Sequence, residues 1–585
     1  MDKLKHLFVL LVLFSTQLIK AQQIIPVDES IFIHANATTF VTGETLLYKV
    51  YCIKSSDKTA SNISKVAYVE LVDDSKKSVF KTKIFLDNAV GQGDFFIPTT
   101  LKTGNYKLIG YTNWMLNKSV SEFFQIGVNI INPYKTTEKT STESNLSSNS
   151  LNSAINTNET ISKENSQTNE NVKFELNKKI FTNRELVNLK IETSNEAFKD
   201  GNYSLSVRKL DNIPSKNQIS SKEFASVLSN PILIDLQNPE KKITLPELRG
   251  EIISGKIASK NNTDKIENIN VGLSLPGKSF AFKVVSTDAQ GNFIFNIADA
   301  YYTSDIKVQI IDDNANNYTV TVDNAPEIDY SKLSYDSNSN LSYSIKETLL
   351  DRSVSSQIEN AYYHKKVDNI VKSETLEPFY YPTAKEYVLD DYTRFKTLKE
   401  TITEVATEIY HKQKEDKFYL HVNDPSVFPQ LPESALVLVD GLYLENQTEL
   451  FTYSMKNVYK IEVFVGRYYL GPKSFNGLIS FTTFDKDFKS TQSGSFIAKP
   501  TVLRPQPKKL YNRIEYKDVA DNARIPDFRN QLFWNPEVKL DNENNNTFYT
   551  SDTSGVFEIK LEGFAKNGSP VSLRETIEVK DTAAN

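Results

Sequence analysis

The chain is expected to be mainly β, a multi-domain string of β-sandwiches with one small α+β domain. Three observations carry that expectation. A pattern of glycine, any residue, aromatic, any, apolar occurs four times, a longer aromatic–turn–Glu pattern occurs twice, and only two stretches show helical spacing. A length of 585 residues exceeds what one core serves. At roughly 100–150 residues per domain, about four to six domains are expected.

The short pattern reads Gly104-Asn105-Tyr106-Lys107-Leu108, Gly201-Asn202-Tyr203-Ser204-Leu205, Gly291-Asn292-Phe293-Ile294-Phe295 and Gly555-Val556-Phe557-Glu558-Ile559. Each is a turn glycine entering a half-buried strand, with the aromatic on the core face and apolar residues at period two. The irregular spacing rules out a solenoid. It predicts the same late strand in four separate sandwiches. The longer pattern aligns Phe40-Val41-Thr42-Gly43-Glu44 through Val50 with Phe181-Thr182-Asn183-Arg184-Glu185 through Ile191, an early strand in each of two units.

The better helix candidate runs from Thr397 to His411. Leu398, Ile402, Val405 and Ile409 recur at helical spacing, and Thr397 with Glu400 makes a capping box. A weaker one spans Lys346 to Tyr363. Residues 135–171 are rich in Ser, Thr, Asn and Glu and nearly free of large apolar side chains. Such a segment buries too little surface to offset its ordering entropy, so it is expected to be a disordered linker.

Residues 1–21 are expected to be a cleaved signal peptide. Lys3 and Lys5 precede the apolar run Leu7–Phe14, and Ala21 stands at the cleavage position before Gln22. That run is too short to span a bilayer, so no direct membrane span is expected. The formal net charge of −5 argues against nucleic acid, which needs a basic footprint. Cys52, the single cysteine, sits in an apolar stretch and reads as a small buried hydrophobe.

Reactive chemistry is scarce. Of the five histidines, His34 and His421 fall in strand patterns, His364 and His411 stand beside lysines, and no pair has metal-ligand spacing. Ser493-Gly494-Ser495 lacks the flanks of a nucleophile elbow. Asp73-Asp74 and Asp312-Asp313-Asn314 lack EF-hand spacing and read as solvated loops. Asp440-Gly441 reads as a tight turn after the buried strand Leu436–Val439. No catalytic residue, metal or cofactor is expected.

Residues 22–134 resemble the macroglobulin-like sandwich MG2, through Phe40-x-x-Gly43-Glu44-x-Leu46-x-Tyr48, Phe95-x-Ile97-Pro98 and Leu101-x-x-Gly104-x-Tyr106. Residues 172–247 resemble part of a second such domain. Residues 248–329 resemble the transthyretin-like regulatory domain of carboxypeptidases, through Gly250-x-Ile252-x-x-Gly255-x-Ile257, Val271-x-Leu273 and Thr287-Asp288-x-x-Gly291-Asn292-Phe293. Residues 330–394 are expected to form an irregular, partly helical connector. Residues 395–487 resemble the plug domain of TonB-dependent receptors, through Leu436-Val437-Leu438-Val439-Asp440-Gly441, Val458-x-Lys460-Ile461-Glu462-Val463 and Tyr469-x-Gly471-x-x-x-Phe475-Asn476-Gly477-Leu478-Ile479. A receptor barrel needs several hundred further residues, whereas 488–585 are expected to be a last β-sandwich. The Cys-Gly-Glu-Gln run of thioester macroglobulins does not occur.

Together these resemblances imply an exported envelope protein of Bacteroidota, periplasmic or outer-membrane-associated and non-enzymatic. An outer-membrane β-barrel or TonB-dependent-type complex is the implied partner. A surface adhesin or glycan-capture protein is the first alternative, and a cryptic hydrolase the second. Arg467, Tyr468, Tyr469 and Leu470, before Gly471-Pro472, combine residue types enriched at interface hot spots. They are expected to join two strands and to form the partner contact, with Arg467 and Tyr468 removable at no cost in stability.

Overall fold

The computed structural model describes residues 24–135, 169, 171–228, 230–235, 243–261, 263–299, 301, 303–312, 314–335, 343–371, 376–381, 384–426, 433–516, 525–540 and 546–581. The signal-peptide expectation for 1–21 and all of the linker expectation save its edge residues lie outside them. The protein is mainly β, 45% strand against 13% helix. It divides into two compact units. The first is Met1–Leu248, Ile328–Asn369 and Lys508–Asn585, and the second is Arg249–Glu327 and Ile370–Pro507.

The first sandwich of the first unit is built from β1 (Ser30–Ala35), β2 (Thr39–Val41), β3 (Thr45–Ile53), β4 (Val66–Asp73), β5 (Ser78–Phe85), β6 (Val90–Phe96), β7 (Gly104–Tyr111) and β8 (Phe124–Ile131). One sheet runs β1-β3-β6 and the facing sheet runs β2-β8-β7-β4-β5. The chain crosses from sheet to sheet at Thr42-Gly43-Glu44. There Gly43 takes φ +96, and the Glu44 carboxylate accepts the Val41 N–H at 3.0 Å. Ile31, Phe40, Leu46, Tyr48, Val69, Leu108 and Val128 fill the core with at most 1% exposure. Cys52 is buried, and burial raises its thiol well above its ordinary pKa, which makes it the inert packing residue expected.

The second sandwich departs from the sequence expectation. Its strands are β9 (Val172–Leu176), β10 (Ile180–Thr182), β11 (Leu186–Thr193) and β12 (Gly201–Lys209), then β13 (Gln531–Val538), β14 (Asn546–Tyr549), β15 (Gly555–Ala565) and β16 (Pro570–Lys580). The sheets run β9-β11-β14 and β10-β16-β15-β12-β13. Strand for strand, this is the order of the first sandwich. Residues 172–247 and 488–585 therefore do not form two sandwiches. Strands from both make one domain, with more than three hundred residues inserted between its fourth and fifth strands. Arg184 stands where Gly43 stands in the first copy, at φ +55, and the Glu185 carboxylate accepts the Thr182 N–H at 2.8 Å. Arg184 holds its strained turn with paired bonds of 2.5 and 2.6 Å to Asp552.

This topology also corrects the count of four sandwiches. The Gly201 and Gly555 copies of the motif lie side by side, Leu205 opposite Leu561. All four copies are strands, but they occupy three sandwiches.

Helix α1 (Ser221–Val227) and helix α2 (Lys346–Ala361) pack onto the first unit. Helix α2 confirms the weaker helix pattern. Phe32 of β1 meets Phe224 of α1 at 5.4 Å and Phe564 of β15 at 5.6 Å, so the two sandwiches share one aromatic junction. Arg352 of α2 is buried. It bonds Glu44 at 2.6 and 3.1 Å, Asp211 at 3.1 Å and the Thr39 carbonyl at 3.0 Å.

The second unit contains a two-sheet sandwich over 251–322. Glu251–Ser259 lies between Asn292–Ile297 and Tyr318–Val322, and Asn270–Leu275 lies between Ala281–Ser286 and Lys307–Ile310. Ile497–Ala498 adds to Lys307–Ile310, so residues assigned to a C-terminal sandwich serve this one. The α+β part has the strand order Lys385–Val388, Val458–Leu470, Lys473–Thr483, Leu436–Val439, Leu442–Tyr443. Lys385–Val388 comes from the expected connector, 330–394. Helix α3 (Leu398–Glu404) begins at the expected capping box, but ends at Val405, and Ile409 opens a strand paired with Val422. The helical spacing ran four residues past the helix because Ile409 is buried from a strand.

Candidate functional site

The α+β sheet is centred on Leu436–Val439, whose four residues are all fully buried. Asp440 and Gly441 turn the chain at φ +49 and +82. The Asp440 carboxylate accepts the Thr483 N–H at 2.8 Å, the Thr483 hydroxyl at 2.6 Å and the Phe488 N–H at 3.1 Å. Its role is structural, as the sequence suggests, and it fixes the end of the strand Lys473–Thr483.

That strand forms a hairpin with Val458–Leu470, closed by Gly471-Pro472. The expected connecting segment is therefore the end of a long strand: Arg467 faces Asn476, Tyr468 faces Phe475, Tyr469 faces Ser474 and Leu470 faces Lys473. A bulge at Val465-Gly466, with Gly466 at φ +112, re-aims the side chains that follow. Strand alternation then splits the four candidate residues between two faces.

Tyr468 and Leu470 pack on a cluster containing Phe282, Val284, Tyr380, Phe475 and Leu478. The Tyr468 ring lies 5.2 Å from Phe464 and 6.4 Å from Phe379, and burial raises its hydroxyl pKa. Arg467 and Tyr469 face the other way. Tyr469 is 71% exposed, and among the described residues Arg467 makes only a 3.5 Å contact with the exposed Glu433. The expectation that Tyr468 is removable without cost is thus corrected, since its ring belongs to a packed cluster.

Among the described residues the edge of this strand is also open. Lys385–Val388 pairs with Lys460 to Val463 and stops there. Beyond it, among the described residues, Val465–Leu470 has a partner strand on one side only. Such an edge, beside Val465, Arg467 and Tyr469, is suited to adding a strand from another protein.

Two histidines outside this strand are held by hydrogen bonds. His34 is buried, its Nδ1 is 2.7 Å from the Ser204 hydroxyl, and burial keeps its pKa well below the ordinary value. His421 hydrogen-bonds the Glu433 carbonyl at 3.1 Å. Among the described residues no group of three or more His, Cys, Asp or Glu is placed to hold a metal. Nor is any described helix long and apolar enough to cross a membrane.

No family model matches the chain, and no curated protein matches it. Among solved structures, an α2-macroglobulin of Salmonella (mutant Y1175G) is 8% identical at TM-score 0.22, covering 94% of this chain and 39% of that one. Escherichia coli α2-macroglobulin activated by porcine elastase is 8% identical at TM-score 0.24, covering 94% and 44%. Dimeric latent PorU from Porphyromonas gingivalis overlaps 50% of this chain at TM-score 0.15 and 8% identity, covering 33% of its own length. The chain spans less than half the length of the macroglobulins it matches.

Proposed function

We propose that this protein is a non-enzymatic interaction subunit of a Gram-negative cell envelope, an accessory of an outer-membrane transport or assembly complex. Its sandwiches are spacers and its α+β domain makes the partner contact. The open strand edge Val465–Leu470 carries this reading, because Arg467 and Tyr469 stand beside it with little packing of their own. The resemblance of the sequence to MG2, regulatory-like and plug-like domains supports the location and the kind of partner.

The test is recovery of the complex from membranes through a tag on this protein. Arg467→Ala with Tyr469→Ala is expected to lower partner recovery by about tenfold or more, since exposed Arg and Tyr are typical hot spots, with Tm nearly unchanged. Tyr468→Ala is expected to lower stability by about 2 kcal/mol instead, through loss of buried ring contacts. Normal recovery with the double variant places the contact elsewhere.

A further inference from the structure

The first unit holds a cavity of about 240 Å³ far from the candidate docking strand in sequence. Its wall is assembled from the Gly43–Thr45 turn, the end of β12, the last turns of α2, and residues 511–514 and 528–534. Five aromatic residues line it, Tyr363, Tyr511, Phe528, Phe533 and Trp534, together with amides that include those of Asn512 and Asn530.

Charge excludes one ligand class. The cations of the wall already have anionic partners: Arg208 meets Glu44 at 3.1 Å, Lys366 meets Glu359 at 2.7 Å and Arg529 meets Asp527 at 2.6 Å. An anion entering the cavity would have to displace buried carboxylates. The aromatic faces and neutral donors remain. Trp534 is 5% exposed, and its indole N–H has no hydrogen-bond partner among the described residues. Tyr363, 51% exposed, presents an open ring at the wall. Rings that pack on C–H faces, beside amides that bond hydroxyls, match a sugar. The volume lies below the roughly 300–1,000 Å³ of drug-sized sites and suits a ligand of one or two rings.

We infer that this cavity, formed where α2 meets the two sandwiches, binds a neutral saccharide of one or two sugar units. Trp534 provides the readout, because the chain has two tryptophans. The other, Trp114, is buried beside Val27 and Ile234, and its indole N–H also lacks a partner among the described residues. Trp114→Phe therefore removes no hydrogen bond to a described residue and leaves Trp534 as the sole indole. Emission of this otherwise full-length protein is titrated with D-glucose, D-galactose, D-mannose, N-acetyl-D-glucosamine and their β-1,4-linked disaccharides. A neutral alanine tripeptide and inorganic phosphate are titrated in parallel.

At least one sugar is expected to shift Trp534 emission saturably, with a dissociation constant of about 1 mM. Tyr363→Ala is expected to weaken it about tenfold with Tm unchanged, as loss of one stacking ring at a wall position would. Calorimetry on the unaltered chain repeats the measurement should Trp114→Phe fold poorly. The inference is overturned if no sugar in the panel binds, if only the tripeptide or phosphate binds, or if Tyr363→Ala leaves sugar affinity intact. These outcomes do not touch the docking strand, so the two readings fail separately.

Discussion

At the scale of single residues, chemical type was easier to read than surroundings. The doublet Tyr468-Tyr469 says that one ring points in and the other out, because strand side chains alternate. Which one points in depends on Phe464, Phe379 and Phe475, and two of these come from outside the strand. The sequence around Lys307 carries no sign that this lysine is buried. It is 2% exposed, its Nζ donates to the Tyr443 carbonyl at 3.0 Å, and burial pushes its pKa down from 10.5 to about 8. Below pH 8 folded and unfolded states both hold the proton, and the cost of burying the ammonium is present in full. Between pH 8 and 10.5 the unfolded chain holds more protons than the folded one, so this group makes stability rise with pH. The rise amounts to roughly 3 kcal/mol. Lys307→Met removes it. Chemical denaturation at pH 7.5 and 10 is therefore expected to show the variant gaining less, or losing more, than the parent across that interval, although both lose stability where other groups titrate.

At the scale of elements, the repeats were legible and the ends were not. The capping box at Thr397 marked the start of α3 correctly, because both of its hydrogen bonds are local. The end depended on whether Ile409 joins a helix or a strand, and its pairing with Val422 decides that. Helix α2 shows the converse. Its weak apolar spacing hid what holds it, which is charge. Burial alone would raise the Glu44 carboxyl, but Arg352 and Arg208 outweigh it and hold the group below its ordinary range. Arg352 in turn answers Glu44 and Asp211 together. Removing one partner of a buried network leaves uncompensated charge and typically costs about 3–5 kcal/mol. Arg352→Ala is accordingly expected to lower unfolding free energy by that amount and to raise amide exchange in Lys346–Ala361 before exchange rises in the core of either sandwich. Unchanged exchange in the helix would mean that its apolar contacts hold it alone.

At the scale of the whole molecule, the sandwich class was readable from period-two strands entered by glycine, whereas the closure of the second sandwich was not. Leu205 and Leu561 are opposite one another in the sheet, yet 356 positions separate their numbers in the chain. A motif match says that both are core-facing strand residues, and it carries no record of which strands pair. The two copies of one topology supply that record, because the first gives the strand order that the second must complete. The consequence can be tested by deleting 508–585. More than half of the buried apolar residues in the second sandwich core come from that segment, Phe557, Ile559, Leu561 and Val571 among them. Without them Tyr203, Leu205 and Val207 lose the strands on both sides of β12. Burial of one such side chain contributes about 1.5–3 kcal/mol, so the remaining strands cannot hold a core. Limited proteolysis of the deletion variant is expected to add cuts within 171–235 that the full chain does not show, while fragments of the second unit, with their own cores over 251–322 and 385–483, persist. Residues 525–585 made alone are expected to show no cooperative unfolding transition. A cooperative transition in that isolated segment would mean that the C-terminal strands form a sandwich by themselves and would return the domain boundary to residue 488.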